Sequence, residues 1–221
     1  MFVTKKIPRS LSAEAYRSLR TSIKFSLIDK PIKTIVVTSS LAGEGKSTVV
    51  GNLAYRVTGV LTCALPISIH ENFLLSNEKG LTDVLFGKSD LKGVTKKIKD
   101  SLFFITAGTI LPNPPEILGS KEMENLIKEL KINFDYIIID TPPILPVSDT
   151  LLLASKADAT LIVVKARKTK EKIVKESYER LIEAKANVIG TVLNESDKSL
   201  DNKYYGNYGD GKNKKGKIFN K

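Results

Sequence analysis

An α/β fold with a doubly wound, mostly parallel sheet is predicted by three observations. Short β-branched runs alternate with helical stripes along the 221 residues. The runs are apolar throughout rather than alternating, which suits strands buried on both faces of a parallel sheet. The first of them passes straight into a glycine-rich turn and then a helix, the order in which such sheets place anion sites.

The predicted strands are "TIVVT" (34–38), "LFFIT" (102–106), "DYIIID" (135–140), "ATLIVV" (159–164) and "NVIGTVL" (187–193). Met123, Leu126, Ile127 and Leu130 recur at helical spacing, with Ser120 placed as an N-cap. Ile173, Val174, Tyr178, Leu181 and Ile182 make a second stripe expected to face the core. Strands alternating with helices imply right-handed βαβ units. "LPNPPE" (111–116) reads as a loop from which Pro115 opens a helix. No internal repeat is evident. Residues 1–200 read as one domain, with a helix at about 12–28, and 201–221 as a flexible basic tail.

Composition narrows the class. Hydrophobic residues make up 42%, ordinary for a soluble domain, and no apolar run approaches a membrane span. The basic start lacks the apolar stretch of a signal peptide. The single cysteine, Cys63, allows no internal disulfide, which fits a reducing cytosol. Net charge is +11, and 202–221 holds six lysines against one aspartate. No zinc-finger or RNA-binding motif accompanies that charge, so no nucleic-acid partner is expected.

"TIVVTSSLAGEGKST" is the most specific stretch. Backbone N–H groups of such a turn hold phosphate oxygens, and Gly43 and Gly45 let the backbone come close. Lys46 is expected to neutralise the β- and γ-phosphates of ATP, and the Ser47 hydroxyl to ligate Mg²⁺. Glu44 and Thr48 complete the predicted nucleotide contacts. The strict motif has glycine at position 40, where this chain has Ser40. The run "FDYIIIDTPP" delivers Asp140 to the carboxyl end of a strand, the expected second metal group. Lys46 and Asp140 are the expected catalytic residues. Asn194 follows the last strand, as an adenine-edge contact or an ordinary turn residue.

Together, "TSSLAGEGKST", "FDYIIIDTPPILPVSD" and "GTVLN" resemble the cytoplasmic bacterial tyrosine kinases of capsule and exopolysaccharide operons. "EAYRSLRTSIKF" resembles that family's N-terminal helix, and "ITAGTILPNPPEILGSKEMENLI" the segment before its Walker B strand. The resemblance implies a P-loop fold of the MinD/ParA-like class. It implies phosphoryl transfer from Mg·ATP to tyrosine, including autophosphorylation in trans at Tyr204, Tyr205 and Tyr208. It implies ring-like self-association through Glu14, Arg17 and Arg20, a trio that otherwise reads as a solvated face. It implies a transmembrane adaptor of the polysaccharide copolymerase type, holding the protein at the inner face of the plasma membrane. Two alternatives stay open: a MinD/ParA-type switch ATPase and a silent ATP-binding scaffold. The switch ATPases carry a signature lysine where this chain has Leu41.

Residues 57–68, "VTGVLTCALPIS", break the resemblance. The family has there a strand ending in "LLIDADLRRP", the Walker A′ segment, whose aspartates sit beside the metal and the attacking phenol. A phenol ionises near pH 10, so a carboxylate base assists its attack. Here no acid lies between Arg56 and Ser68. "VTGVLTCALPI" differs by one letter from the translation of a common sequencing-library adapter, so the stretch is expected to be an artefact; a divergent natural segment is the alternative. The stretch is apolar enough to fill the missing strand's slot, with Pro66 ending it. His70 is expected to be structural, and nothing places Glu71 at a metal.

Overall fold

The structure is a computed structural model that describes residues 10–26, 31–56, 60–64, 75–109 and 114–196. Helix α1 (Leu11–Phe25) leads into strand β1 (Thr34–Ser39), helix α2 (Lys46–Arg56) and strand β2 (Val60–Ala64). Short helices α3 (Leu81–Leu85) and α4 (Leu91–Val94) precede β3 (Lys96–Lys99) and β4 (Leu102–Ile105). Then come α5 (Pro114–Leu118), α6 (Lys121–Asn133), β5 (Tyr136–Asp140), α7 (Asp149–Lys156), β6 (Ala159–Lys165), α8 (Glu171–Glu183) and β7 (Val188–Asn194).

The strands form one sheet in the order β3-β4-β2-β5-β1-β6-β7. All pairs are parallel except β3 with β4. Strand β1, which leads into the glycine-rich turn, is central, flanked by β5 and β6. Every residue of β1 is buried, as its unbroken apolar run predicted. Ile35 and Val37 pack with Val49, Val50, Leu53 and Ala54 of α2 and Ile23 of α1. Val36 faces the opposite layer, with Met123, Leu126, Ile127 and Leu130 of α6. The sheet is thus covered on both faces, which is why its strands show no alternation. Asp158 fixes the start of β1: its Oδ2 accepts from the amides of Lys33 and Thr34 at 3.0 and 2.8 Å, and Lys131 pairs with its Oδ1 at 2.7 Å.

Two expectations are corrected, and one strand was not anticipated. The α8 stripe does not face the core in full. Leu181 is buried, but Tyr178 and Ile182 are 46% and 47% exposed, because the edge strand β7 offers too little surface to cover them. Helix α5 opens at Pro114 rather than Pro115. The antiparallel edge strand β3, "KKIK", carries no apolar run to announce it; its lysines suit an edge facing water. Ser120 does cap α6, accepting from Met123 N at 3.2 Å.

Part of the odd stretch forms β2, between β4 and β5, in the slot expected for the missing strand. Val60 and Leu61 are fully buried there. Thr62 is fully buried too, and its hydroxyl has no partner among the described residues. A buried hydroxyl without a hydrogen bond costs about 1–3 kcal/mol. Thr62→Val keeps the shape and removes that group, so it should stabilise the chain by about 1 kcal/mol, a rise in Tm of about 2–4 °C. A thermal melt showing no gain would mean that the hydroxyl is satisfied in solution.

Candidate active site at the carboxyl end of β1

The turn after β1 is built by its two glycines. Gly43 and Gly45 have φ of +75° and +91°, a region that other residues enter only under strain. A Cβ on Gly45 would also collide with the Nδ2 of Asn194. The turn feeds α2, whose first residues are Lys46, Ser47 and Thr48. An N-terminus of this kind presents free amides and the positive end of the helix dipole to an anion.

Lys46 lies buried in the turn, its Nζ donating to Ser39 Oγ at 3.0 Å. Burial holds its ammonium below the usual lysine range, opposed by the charges of Asp140 and Glu44. Ser47 and Asp140, 93 residues apart, are brought together: Ser47 Oγ donates to Asp140 Oδ2 at 2.6 Å. Asp140 is fully buried, and burial pushes its carboxyl up to about 6, against the Ser47 hydrogen bond and the Lys46 charge. Its other oxygen, Oδ1, has no hydrogen-bond partner among the described residues. A hydroxyl and a carboxylate side by side, with one carboxylate oxygen unsatisfied, fit a hard divalent cation such as Mg²⁺. Ser40, where the strict motif has glycine, is buried at the entrance of the turn.

The chain is 36% identical over 210 residues to the tyrosine-protein kinase YwqD of Bacillus subtilis, which covers 91% of this chain and 88% of that one. It belongs to the bacterial tyrosine kinases of capsule and exopolysaccharide synthesis. The crystal structure of the chimerical protein CapA2B2 superposes on this kinase with a TM-score of 0.84 at 30% identity, over 89% of this chain and 90% of that one. The kinase domain of the Escherichia coli tyrosine kinase ETK gives a TM-score of 0.82 at 30% identity, over 89% and 82%. No protein-family model matches the kinase. Its fold alone extends further, to the MinD cell division protein of Aquifex aeolicus at a TM-score of 0.61, with 22% identity over 77% of this chain and 72% of that one.

In this kinase Asn194 is the last residue of β7, and its Nδ2 donates to the Glu44 carbonyl at 3.0 Å. Glu14, Arg17 and Arg20, the trio expected to mediate self-association, lie on α1. Glu14 and Arg17 pair with each other, while Arg20 Nη1 donates to the carbonyl of Arg56 at 3.0 Å. Arg20 therefore caps the end of the P-loop helix within the same chain. Tyr16, also on α1, is hydrogen-bonded to Asn52 of α2, and burial pushes its phenol up to about 12. The helix expected to meet a second copy is thus fastened to the helix that begins at the phosphate turn. Tyr204, Tyr205, Tyr208, His70, Glu71 and Pro66 lie outside the described residues.

Sequence reading missed two residues of the site. Ser39 holds Lys46, and Thr169 donates to the Glu44 carboxylate across 125 positions. Ser39 was within reach as the last strand residue before the turn. Thr169 carries no local signal. Among the described residues, no helix is long and apolar enough to cross a membrane.

Proposed function

We propose that this kinase transfers the γ-phosphoryl group of ATP to Tyr204, Tyr205 and Tyr208 of a second copy, and that this chain does so weakly. Such phosphorylation would regulate capsular or exopolysaccharide synthesis. The observation that carries the reading is the Ser47–Asp140 pair at 2.6 Å beside the buried Lys46. It supplies one half of a metal site at a phosphate turn. The other half is missing from the sequence: β2 ends at Ala64, in register with Asp140, and 57–68 contains no acid.

The geometry supports the following roles. Amides of residues 43–48 cradle the phosphates, with Gly43 and Gly45 permitting close approach. Lys46 leaves Ser39 to meet the anionic β- and γ-phosphates. Ser47 and Asp140 would hold Mg²⁺, which when bound would neutralise charge on the phosphates. In this reading Asn194, whose Nδ2 is engaged by the Glu44 carbonyl, meets the base through its side-chain oxygen. Positioning and charge stabilisation carry most of the rate, and with no acid in 57–68 the tyrosine's proton lacks the acceptor that the family's Walker A′ segment supplies. Partners in this reading are sister subunits in a ring and a transmembrane adaptor at the inner membrane face. Likeness to the chimerical CapA2B2 supports the adaptor.

The test is a mixing experiment with γ-labelled ATP and Mg²⁺. Lys46→Met copies serve as substrate for copies with Lys46 intact. Label should appear, slowly, on the Lys46→Met copies, and disappear when Tyr204, Tyr205 and Tyr208 are all Phe. ATP hydrolysis without phosphotyrosine would replace this reading with the switch ATPase.

A further inference from the structure

Glu44 sits inside the phosphate turn, yet its side chain is 2% exposed and directed into the protein. Its Oε2 accepts from the Leu41 amide at 2.8 Å, which closes the turn on itself. Its Oε1 accepts from the hydroxyl of Thr169, in the connection after β6, and, at 3.5 Å, from the amide of Lys165, the last residue of β6. Its main-chain carbonyl accepts from Asn194 at the end of β7. One residue therefore ties the turn to two neighbouring connections.

We propose that Glu44 is a positioning residue, a latch to Thr169 that holds the turn in its phosphate-binding shape and so strengthens binding of nucleoside diphosphates and triphosphates. The proposal rests on the nucleotide-site reading above. A turn with two left-handed glycines is intrinsically soft, and a cradle of amides binds best when its shape is set beforehand. The latch sets it from outside, without touching the ligand.

Electrostatics make the proposal sharp. A carboxylate beside a polyphosphate repels it, so on charge alone Glu44→Ala should tighten binding. The latch predicts the opposite sign. In the full chain, with Mg·ADP and isothermal calorimetry, Glu44→Ala should weaken binding about 10-fold. Thr169→Val keeps the charge but removes the donor, and should weaken it about 3-fold. Thr169→Ser keeps the hydroxyl and should rescue affinity to within about 2-fold of the parent. A merely structural role would not give this pattern at equal Tm. Should Glu44→Ala fail to fold, the two Thr169 variants decide. Parent-like or tighter binding in Glu44→Ala, or in Thr169→Val, overturns the latch alone. If the parent binds no ADP, or Lys46→Ala binds it equally well, the nucleotide site itself is wrong and the latch falls with it.

Discussion

Asp140→Asn raises the melting temperature of the nucleotide-free protein above pH 7 while removing the Mg²⁺ dependence of nucleotide binding. The carboxyl is fully buried and its pKa moves from 3.8 to about 6. The folded state therefore holds this proton more tightly than the unfolded state. Its contribution to stability is present in full below about pH 4 and is lost as the pH rises through about 6. Two pH units correspond to about 3 kcal/mol as an upper bound. Asn is nearly isosteric and uncharged, but its amide must find an acceptor, which the Ser47 hydroxyl can supply. A net gain of about 1–2 kcal/mol, or about 3–6 °C, is expected at pH 8. The gain should vanish by about pH 4. In parallel, the strengthening of ADP binding by Mg²⁺ should fall about 100-fold. Melts at both pH values check the first part and calorimetry the second. A loss of Tm at pH 8, or an equal gain at pH 4, would refute the burial account of Asp140. In the proposed reading, the group that would receive the metal destabilises the free protein, a common exchange of stability for function.

Replacing residues 57–68 with a strand ending in Asp-x-Asp should raise phosphorylation of the tail tyrosines by about 10²–10⁴-fold, the usual worth of a placed general base. The slot for that strand already exists. Val60–Ala64 runs parallel to β5, and Ala64 is in register with Asp140, so acids at the strand's end would arrive beside the metal group. Affinity for ADP should change far less, because Lys46, Ser47 and the glycines lie on the other side of β5 in the sheet order. The measurement is phosphotyrosine formed per minute by each chain at saturating Mg·ATP. Equal rates would show that the present chain is not impaired. Nucleotide binding with no transfer by either would favour the scaffold alternative. Resequencing the gene across codons 50–75 asks separately whether the stretch is natural.

The phosphate turn was legible because it is local. Strand, glycines, Lys46 and Ser47 are consecutive, and positive φ at Gly43 and Gly45 is a property that two residues carry by themselves. Asp140 was legible for a different reason. A short β-branched run that is apolar throughout suits a buried strand, and such strands end at one rim of a parallel sheet. The stripe of α6 was read correctly because each of its four residues meets the sheet. The stripe of α8 was not, because periodicity tells which residues share a face but not how much sheet lies opposite.

The sequence by itself determined the α/β class, the phosphate turn and the acid that meets it, since each rests on short-range pattern and on the geometry common to all parallel sheets. Only the tertiary structure decided which side chains are spent within the chain. Arg20 caps Arg56, Glu44 is held by Thr169, and Lys46 rests on Ser39. The first two pairs join residues 36 and 125 positions apart, so no local preference of either partner marks them; Ser39 and Lys46 stand at the two ends of one turn. For Glu44 and Lys46, burial removes water and leaves a neighbouring polar group to satisfy them; the exposed Arg20 instead meets a free carbonyl at a helix end.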